Sequence, residues 1–327
     1  MPQIRVVIVG AVTALLLAPA PAGARLVFVR GEATLAARIF GARDDGSHAA
    51  RIASGYAPRV SPNGRWVAYV HLLRTRSEVR LIPGRGGRAR RVLRSGRIDE
   101  LRFSPDSRRL GVSTGRALKV YDVGARLVST IVTGAITGFS WGPDSLSLVW
   151  GRARRQSLTA PTDLYRFAFG GPPRRITSDG VSLEPLWTAS EIVYDRRRLR
   201  GSDNTPAYEL YGIRPDGTGR RRITHTRVPA LAFGLVPVAA SANGRRVLAE
   251  FAAQDEADAH AVNAVTGTTR RLERKLIPGA LSSNGGTVLA QTGGPNPADR
   301  HDVVAVAWRG GRAKVLAPRA SSPHWSR

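Results

Sequence analysis

Three groups of residues have types and spacings that could do chemistry. The first is carboxylates and basic side chains in the stretches that lead into strands. These are Asp99 and Glu100 in Ser95 to Glu100, Asp179 and Glu184 in Thr177 to Glu184, and His225 and Arg227 in His225 to Phe233. Two carboxylates converging on one pocket can run acid–base chemistry on a glycosidic or lactone bond; singly they are polar contacts for a ligand. The second is Gly138-Phe139-Ser140-Trp141-Gly142, which matches the Gly-x-Ser-x-Gly of a hydrolase nucleophile elbow. That motif needs a strand, a sharp turn and a helix. Here Pro143-Asp144 and an apolar alternation follow, so Ser140 reads as a strand residue. The third is Asp255-Glu256-Ala257-Asp258-Ala259-His260, whose oxygen donors and imidazole suit a cation. No further ligand spacing supports it, and it reads as a loop between two strands. The six His residues are scattered with no His-x-x-x-His pair, and no Gly-rich phosphate loop opens a helix. The residues therefore assign no catalytic group, no metal and no cofactor.

The elements that must position these side chains come from a repeat. Arg102-Phe103-Ser104-Pro105-Asp106-Ser107-Arg108-Arg109-Leu110-Gly111-Val112 leads an aromatic into a Ser-Pro-Asp turn and leaves it as an alternating strand. Ser, Pro, Asn or Asp, then Gly suit the four positions of a type I turn, so the unit predicts an antiparallel hairpin. Further copies are Val60-Ser61-Pro62-Asn63-Gly64, Trp141-Gly142-Pro143-Asp144-Ser145, a shortened Leu186-Trp187-Thr188-Ala189-Ser190, Ser241-Ala242-Asn243-Gly244 and Ser282-Ser283-Asn284-Gly285. A second hairpin follows each copy. It starts with a strand such as Asp163-Leu164-Tyr165 or Glu209-Leu210-Tyr211 and closes with Arg174-Arg175-Ile176-Thr177 or Arg221-Arg222-Ile223-Thr224.

Two hairpins per unit of roughly 40–45 residues predict a four-stranded propeller blade. The chain stops on Pro323-His324-Trp325, the first strand of a blade. Residue 25 onward opens on Leu26-Val27-Phe28-Val29, a second strand. Pairing of these ends would close an all-β ring of about seven blades, with six the alternative count. These tandem hairpins, with their Asp-Leu-Tyr-like and Arg-Ile-Thr-like strands, resemble the TolB-type, WD-like propeller repeats. They are similar to the propellers attached to dipeptidyl peptidases and prolyl oligopeptidases. The resemblance implies a single β-propeller over residues 25–327. In the peptidases it implies that the catalytic Ser lies in a separate α/β domain.

Residues 1–24 have the layout of a secretory signal peptide: Arg5, an apolar run from Val6 to Leu17, and small residues with an Ala-x-Ala site ending at Ala24 or Ala22. The run is short of the roughly 20 residues a membrane span needs. The expectation is export to a secreted, periplasmic or envelope location, with no stable span after cleavage; a retained leader is the alternative. The chain has no Cys, so the exported fold uses no disulfide. The net charge of +26 comes almost wholly from Arg, Lys standing only at 119, 275 and 314. Spread over the blades, this Arg excess argues for solvated strand faces rather than a nucleic-acid site. The field still favours anionic partners such as an envelope polymer. The expected function is a monomeric, non-catalytic binding or scaffold module. It would recognise a protein, peptide or anionic envelope polymer through the channel-mouth loops that carry Asp99, Glu100, Asp179, Glu184, His225 and Arg227. The alternative is a glycoside- or lactone-hydrolysing propeller that uses the carboxylates of that set.

Overall fold

A computed structural model of the chain describes residues 25–31, 36–155, 157, 159–200, 205–254, 256–294 and 300–326. The leader, residues 1–24, lies outside the described residues, and so does Asp255. Among the described residues every regular element is a strand.

The chain forms antiparallel meanders in sequence order. The first strands are β1 (Leu26–Arg30), β2 (Arg38–Ala42) and β3 (Ala50–Ser54). Next come β4 (Tyr56–Val60), β5 (Trp66–Leu72), β6 (Ser77–Pro83) and β7 (Arg90–Ser95), one four-stranded sheet. Another is made by β8 (Glu100–Phe103), β9 (Arg109–Ser113), β10 (Ala117–Asp122) and β11 (Leu127–Thr133). A third is β12 (Ala135–Trp141), β13 (Ser147–Ala153), β14 (Thr162–Ala168) and β15 (Arg174–Arg175). Two meanders then follow: β16 (Leu186–Trp187), β17 (Ile192–Arg200), β18 (Thr205–Ile213) and β19 (Arg221–Arg222), and β20 (Ala232–Ala240), β21 (Arg246–Ala253), β22 (Ala257–Asn263) and β23 (Thr269–Glu273). A single parallel bridge, Tyr208 to Gly234, joins them into one eight-stranded sheet. The last strands are β24 (Leu276–Leu281), β25 (Thr287–Thr292), β26 (Val303–Ala307), β27 (Lys314–Ala317) and β28 (Ser321–Trp325). β28 pairs with β1, Leu26 opposite Trp325, so the last strand completes the first sheet.

The inner strands β4, β8, β12, β16, β20, β24 and β28 each touch the next in that order, and β28 touches β4. There the Val60 N–H donates to His324 Nδ1 at 3.3 Å. The apolar core follows the same order. Each buried cluster is shared by two neighbouring meanders, as where Leu186, Val193 and Leu210 meet Leu235, Val247 and Val262, or where Leu26 and Phe28 meet Ala280 and Leu289.

The repeat residues build the turns. Ser61 is fully buried; its hydroxyl accepts the Trp66 N–H at 3.0 Å and donates to Asn63 Oδ1 at 2.8 Å. Asn63 Oδ1 also accepts the Arg65 N–H, and the Gly64 N–H returns to the Ser61 carbonyl at 2.8 Å. Gly64 has φ +69°, the left-handed region that favours Gly. In the next two copies that position is Ser107 (φ +63°) and Ser145 (φ +58°). Their hydroxyls reach the preceding sheet: Asn63 N–H donates to Ser107 Oγ at 3.1 Å, and Asp106 N–H to Ser145 Oγ at 2.9 Å. The loss of Gly from these copies thus has a structural return, a hydrogen bond from one sheet to the next.

The basic closing strands also have partners. An acid on the third strand of a sheet pairs with an Arg on the fourth: Glu78 with Arg94, Asp163 with Arg175, Glu209 with Arg222, and Asp258 with Arg271. The Thr ending the Arg-Ile-Thr strands accepts a third-strand N–H, Leu164 to Thr177 at 2.9 Å and Leu210 to Thr224 at 3.0 Å.

Candidate functional site

The inner strands surround a cavity of about 770 Å³, to which each of them contributes lining residues, from Arg59 on β4 to His324 on β28. At one end, by the loops that lead into the inner strands, lies a pocket of about 270 Å³. Arg97, Asp99, Glu100 and Arg102 line it from one sheet, Thr137 and Phe139 from the next, and Glu184 and Pro185 from the one after. Glu100 and Glu184 line both spaces, so the pocket is the mouth of the channel.

The carboxylates legible in the sequence separate into three environments. Asp99 stands on the rim, paired with Arg97. Glu100, the first residue of β8, pairs with Arg102 two residues on, and its Oε2 accepts the Phe139 N–H at 3.2 Å. Its charge is therefore compensated by its own strand and the next. Asp179 is drawn away from the channel. It accepts from Ser182 Oγ at 2.8 Å and the Val181 N–H at 3.2 Å, and clamps Arg196 and Arg220 at 3.1 and 2.8 Å. That makes it a turn-former and an anchor for two Arg residues. His225 and Arg227 are exposed on the loop before β20 and line neither the mouth nor the channel.

Glu184 differs from the others. Among the described residues it makes no ion pair, although it lies across the mouth from Glu100 and Arg102. Its side chain is exposed to the channel space. The protein lining that space pushes its carboxyl up to about 7; the charge of Glu100 adds to the rise, and Arg102 and the channel water oppose it. The β16–β17 ladder sets Leu186 opposite Val193, and Leu183 N–H bonds to the Asp195 carbonyl at 2.9 Å. Glu184, two residues before β16, thus lies near Asp195 of β17. Asp195 is 2% exposed and its Oδ1 has no hydrogen-bond partner. Burial first, then the charge of Glu184, raises its carboxyl well above the usual range. Glu250 on β21 lines the channel further in, and burial raises it too.

Asp195 and Glu250 escape a reading of the sequence because they sit inside apolar strands, Ile192-Val193-Tyr194-Asp195 and Val247-Leu248-Ala249-Glu250. An acid in such a run is the one signal that could have found them, since unpaired charge is costly to bury. Ser140 of the Gly-x-Ser-x-Gly stretch is within β12 and buried, and its Oγ accepts the Trp187 N–H at 3.0 Å. It ties two sheets together and stands on no strand-to-helix turn. In the third group, Asp258 accepts the Lys275 N–H at 2.7 Å and pairs with Arg271, and His260 stacks on Phe251. Among the described residues no three His, Asp or Glu gather as metal ligands.

No family model matches the chain, and no curated protein matches its sequence. Solved structures do match it. The β-propeller domain of the Trilobed protease from Pyrococcus furiosus superposes with a TM-score of 0.66 at 14% identity, over 91% of this chain and 96% of that one. Oligogalacturonate lyase from Vibrio parahaemolyticus gives 0.61 at 12% identity, over 90% and 85%. TolB from Acinetobacter baumannii gives 0.57 at 15% identity, over 93% of this chain but 66% of its own length. These proteins include a lyase, a protease domain and TolB, so what they share with this chain is architecture. With the meanders, the inner strands and the buried faces between sheets, they identify the fold as a β-propeller, similar to that of TolB.

Proposed function

We propose that this chain is a seven-bladed propeller that acts after export as a binding module, and that its channel mouth receives a peptide segment carrying a positive group. The observation that carries this reading is Glu184, a channel carboxylate with no ion-pair partner in a chain of net charge +26. Basic side chains are abundant, and Glu78, Asp163, Asp179, Glu209 and Asp258 elsewhere in the sheets are each paired with Arg. At the mouth, Arg102 is held by Glu100. A lysine, an arginine or an amino terminus entering the mouth would supply the missing charge and form a charge-assisted hydrogen bond to Glu184. Rigid strands hold the site, so recognition needs little backbone change.

The test is selection of displayed peptides on the wild-type protein and on Glu184→Gln. The reading expects enrichment of Lys, Arg or a free amino terminus at one position on the wild type, and its loss on the variant. Equal enrichment on both proteins, or enrichment of acidic peptides, would sink it.

One observation favours a second reading. Glu184 is pushed up to about 7 and shares a pocket with the paired carboxylate Glu100. A carboxyl that keeps its proton near neutral pH can protonate a leaving oxygen, and a second carboxylate can act as base or nucleophile. Turnover of any glycoside or lactone in a substrate panel, abolished by Glu184→Gln, would put catalysis ahead of binding.

A further inference from the structure

A second cavity lies outside the channel. About 900 Å³ opens between the β20–β23 and β24–β27 meanders. It lies on the face carrying the turns that follow the inner strands, opposite the mouth loops. Arg245, Arg246, Arg270 and Arg309 line it, and no Asp or Glu does. Among the described residues none of these four Arg makes an ion pair. Two of them are held in place by uncharged groups. Arg246 donates to the Gly285 carbonyl at 2.8 Å and lies over the Trp308 ring at 5.7 Å, and Arg270 donates to the Trp308 carbonyl.

Three Asn residues complete the wall, and each uses its Oδ1 within its own turn. Asn243 accepts the Ser241 hydroxyl and the Arg245 N–H at 2.8 and 3.1 Å. Asn284 accepts the Ser282 hydroxyl and the Gly286 N–H, both at 2.8 Å. Asn263 accepts the Val265 and Thr266 N–H groups at 2.9 and 3.2 Å. With the oxygens committed to the turns, the amide NH₂ groups are what the three side chains can offer a ligand. Of the matching turns elsewhere in the chain, three use a carboxylate for the same bonds, Asp106 accepting the Arg108 N–H, Asp144 the Leu146 N–H and Asp216 the Thr218 N–H, while Asn63 uses its amide oxygen. Asp serves the fold equally well at these positions. Around this cavity the chain uses Asn at all three, which keeps negative charge out of a wall made of donors.

We propose that this cavity binds a segment of a polyanionic polymer through closely spaced phosphate or carboxylate oxygens. Four guanidinium groups and three amides offer only donors, and Arg pairs with such oxygens in planar, two-pronged geometry. The site is independent of the channel and stands whether or not the mouth takes a peptide.

The experiment is calorimetric titration of the whole protein with inorganic tripolyphosphate and, separately, with a uronic acid trimer, at about 50 and 150 mM salt. At least one probe should bind, and which one does so identifies the source of the anion. The triple variant Asn243→Asp, Asn263→Asp, Asn284→Asp keeps every turn bond and should weaken binding about tenfold or more, the scale of a lost charge-assisted bond. Arg245→Ala with Arg309→Ala should do the same. Arg85→Ala with Arg88→Ala removes equal charge from exposed positions on another sheet and should leave affinity unchanged. The proposal is overturned if neither probe binds, if the Asn→Asp variant binds as the wild type does, or if the Arg85/Arg88 control loses as much as the Arg245/Arg309 variant.

Discussion

Replacing Ser107 tests whether neighbouring sheets are tied by hydrogen bonds at their turns. Ser107 is 4% exposed, has φ +63°, and accepts the Asn63 N–H of the preceding sheet at 3.1 Å. Two opposed quantities meet at this residue. A side chain in the left-handed region costs about 1 kcal/mol relative to Gly. The hydrogen bond returns about 1 kcal/mol net. Ser107→Gly removes both and should leave stability within about 0.5 kcal/mol of the wild type. Ser107→Ala keeps the backbone cost and loses the bond, and should destabilise by about 1 kcal/mol. Ala thus becomes the worse replacement, although it is the closer in size. The assay is urea unfolding, reading the midpoint at constant slope, with Ser145→Gly and Ser145→Ala as a second pair, since Ser145 has the same geometry toward Asp106. A Gly variant less stable than the Ala variant at both sites would refute the reasoning, because the positive φ would then carry no cost.

Three further outcomes are expected. Arg94, then Arg80, hold the Glu78 carboxyl down at about 2, against 4.5 for an unperturbed Glu. The folded state therefore favours its ionised form. This contribution is present above about pH 4.5 and is lost as pH falls toward 2. Glu78→Gln should flatten the acid limb of a stability-versus-pH curve, and superimposable limbs would show that the Arg clamp adds nothing. At Gly234, φ is +97° and a β-carbon would lie 2.3 Å from the Tyr208 carbonyl oxygen. Gly234→Ala should cost about 2–4 kcal/mol, read as a fall in the unfolding midpoint. Because its surroundings push the Glu184 carboxyl up to about 7, a cationic peptide should bind the mouth more tightly as pH rises through the neutral range and the carboxylate forms. Glu184→Gln should remove the pH dependence, and an unchanged profile in the variant would assign it to another group.

Much of this molecule could be read from its residues because the propeller is a local fold. Each sheet is a meander of neighbouring strands. A Ser-Pro-Asn-Gly turn, an alternating strand and an Arg-Ile-Thr ending carry their structure within some forty residues. Ser61, Asn63 and Thr177 do what their types predict, satisfying the backbone groups of their own hairpins. Glu100 and Glu184, at or just before the inner strands β8 and β16, line the mouth, whereas Asp179, His225 and Arg227, further back in their loops, do not.

The packing of one sheet beside the next decided the rest. Local spacing does not distinguish Asp179, whose loop turns it onto Arg196 and Arg220, from Glu184, which the channel leaves without an ion pair. Asp195 and Glu250 look like any strand residue until the enclosing sheets remove their water. The cavity of Arg245, Asn263 and Arg309 joins positions more than sixty residues apart in the chain, and only the packing of one sheet beside the next brings them together. Turn chemistry and strand periodicity act within a hairpin, so the sequence determines them directly. Desolvation and the pairing of charges depend on which sheets stand side by side, and only the tertiary structure sets that.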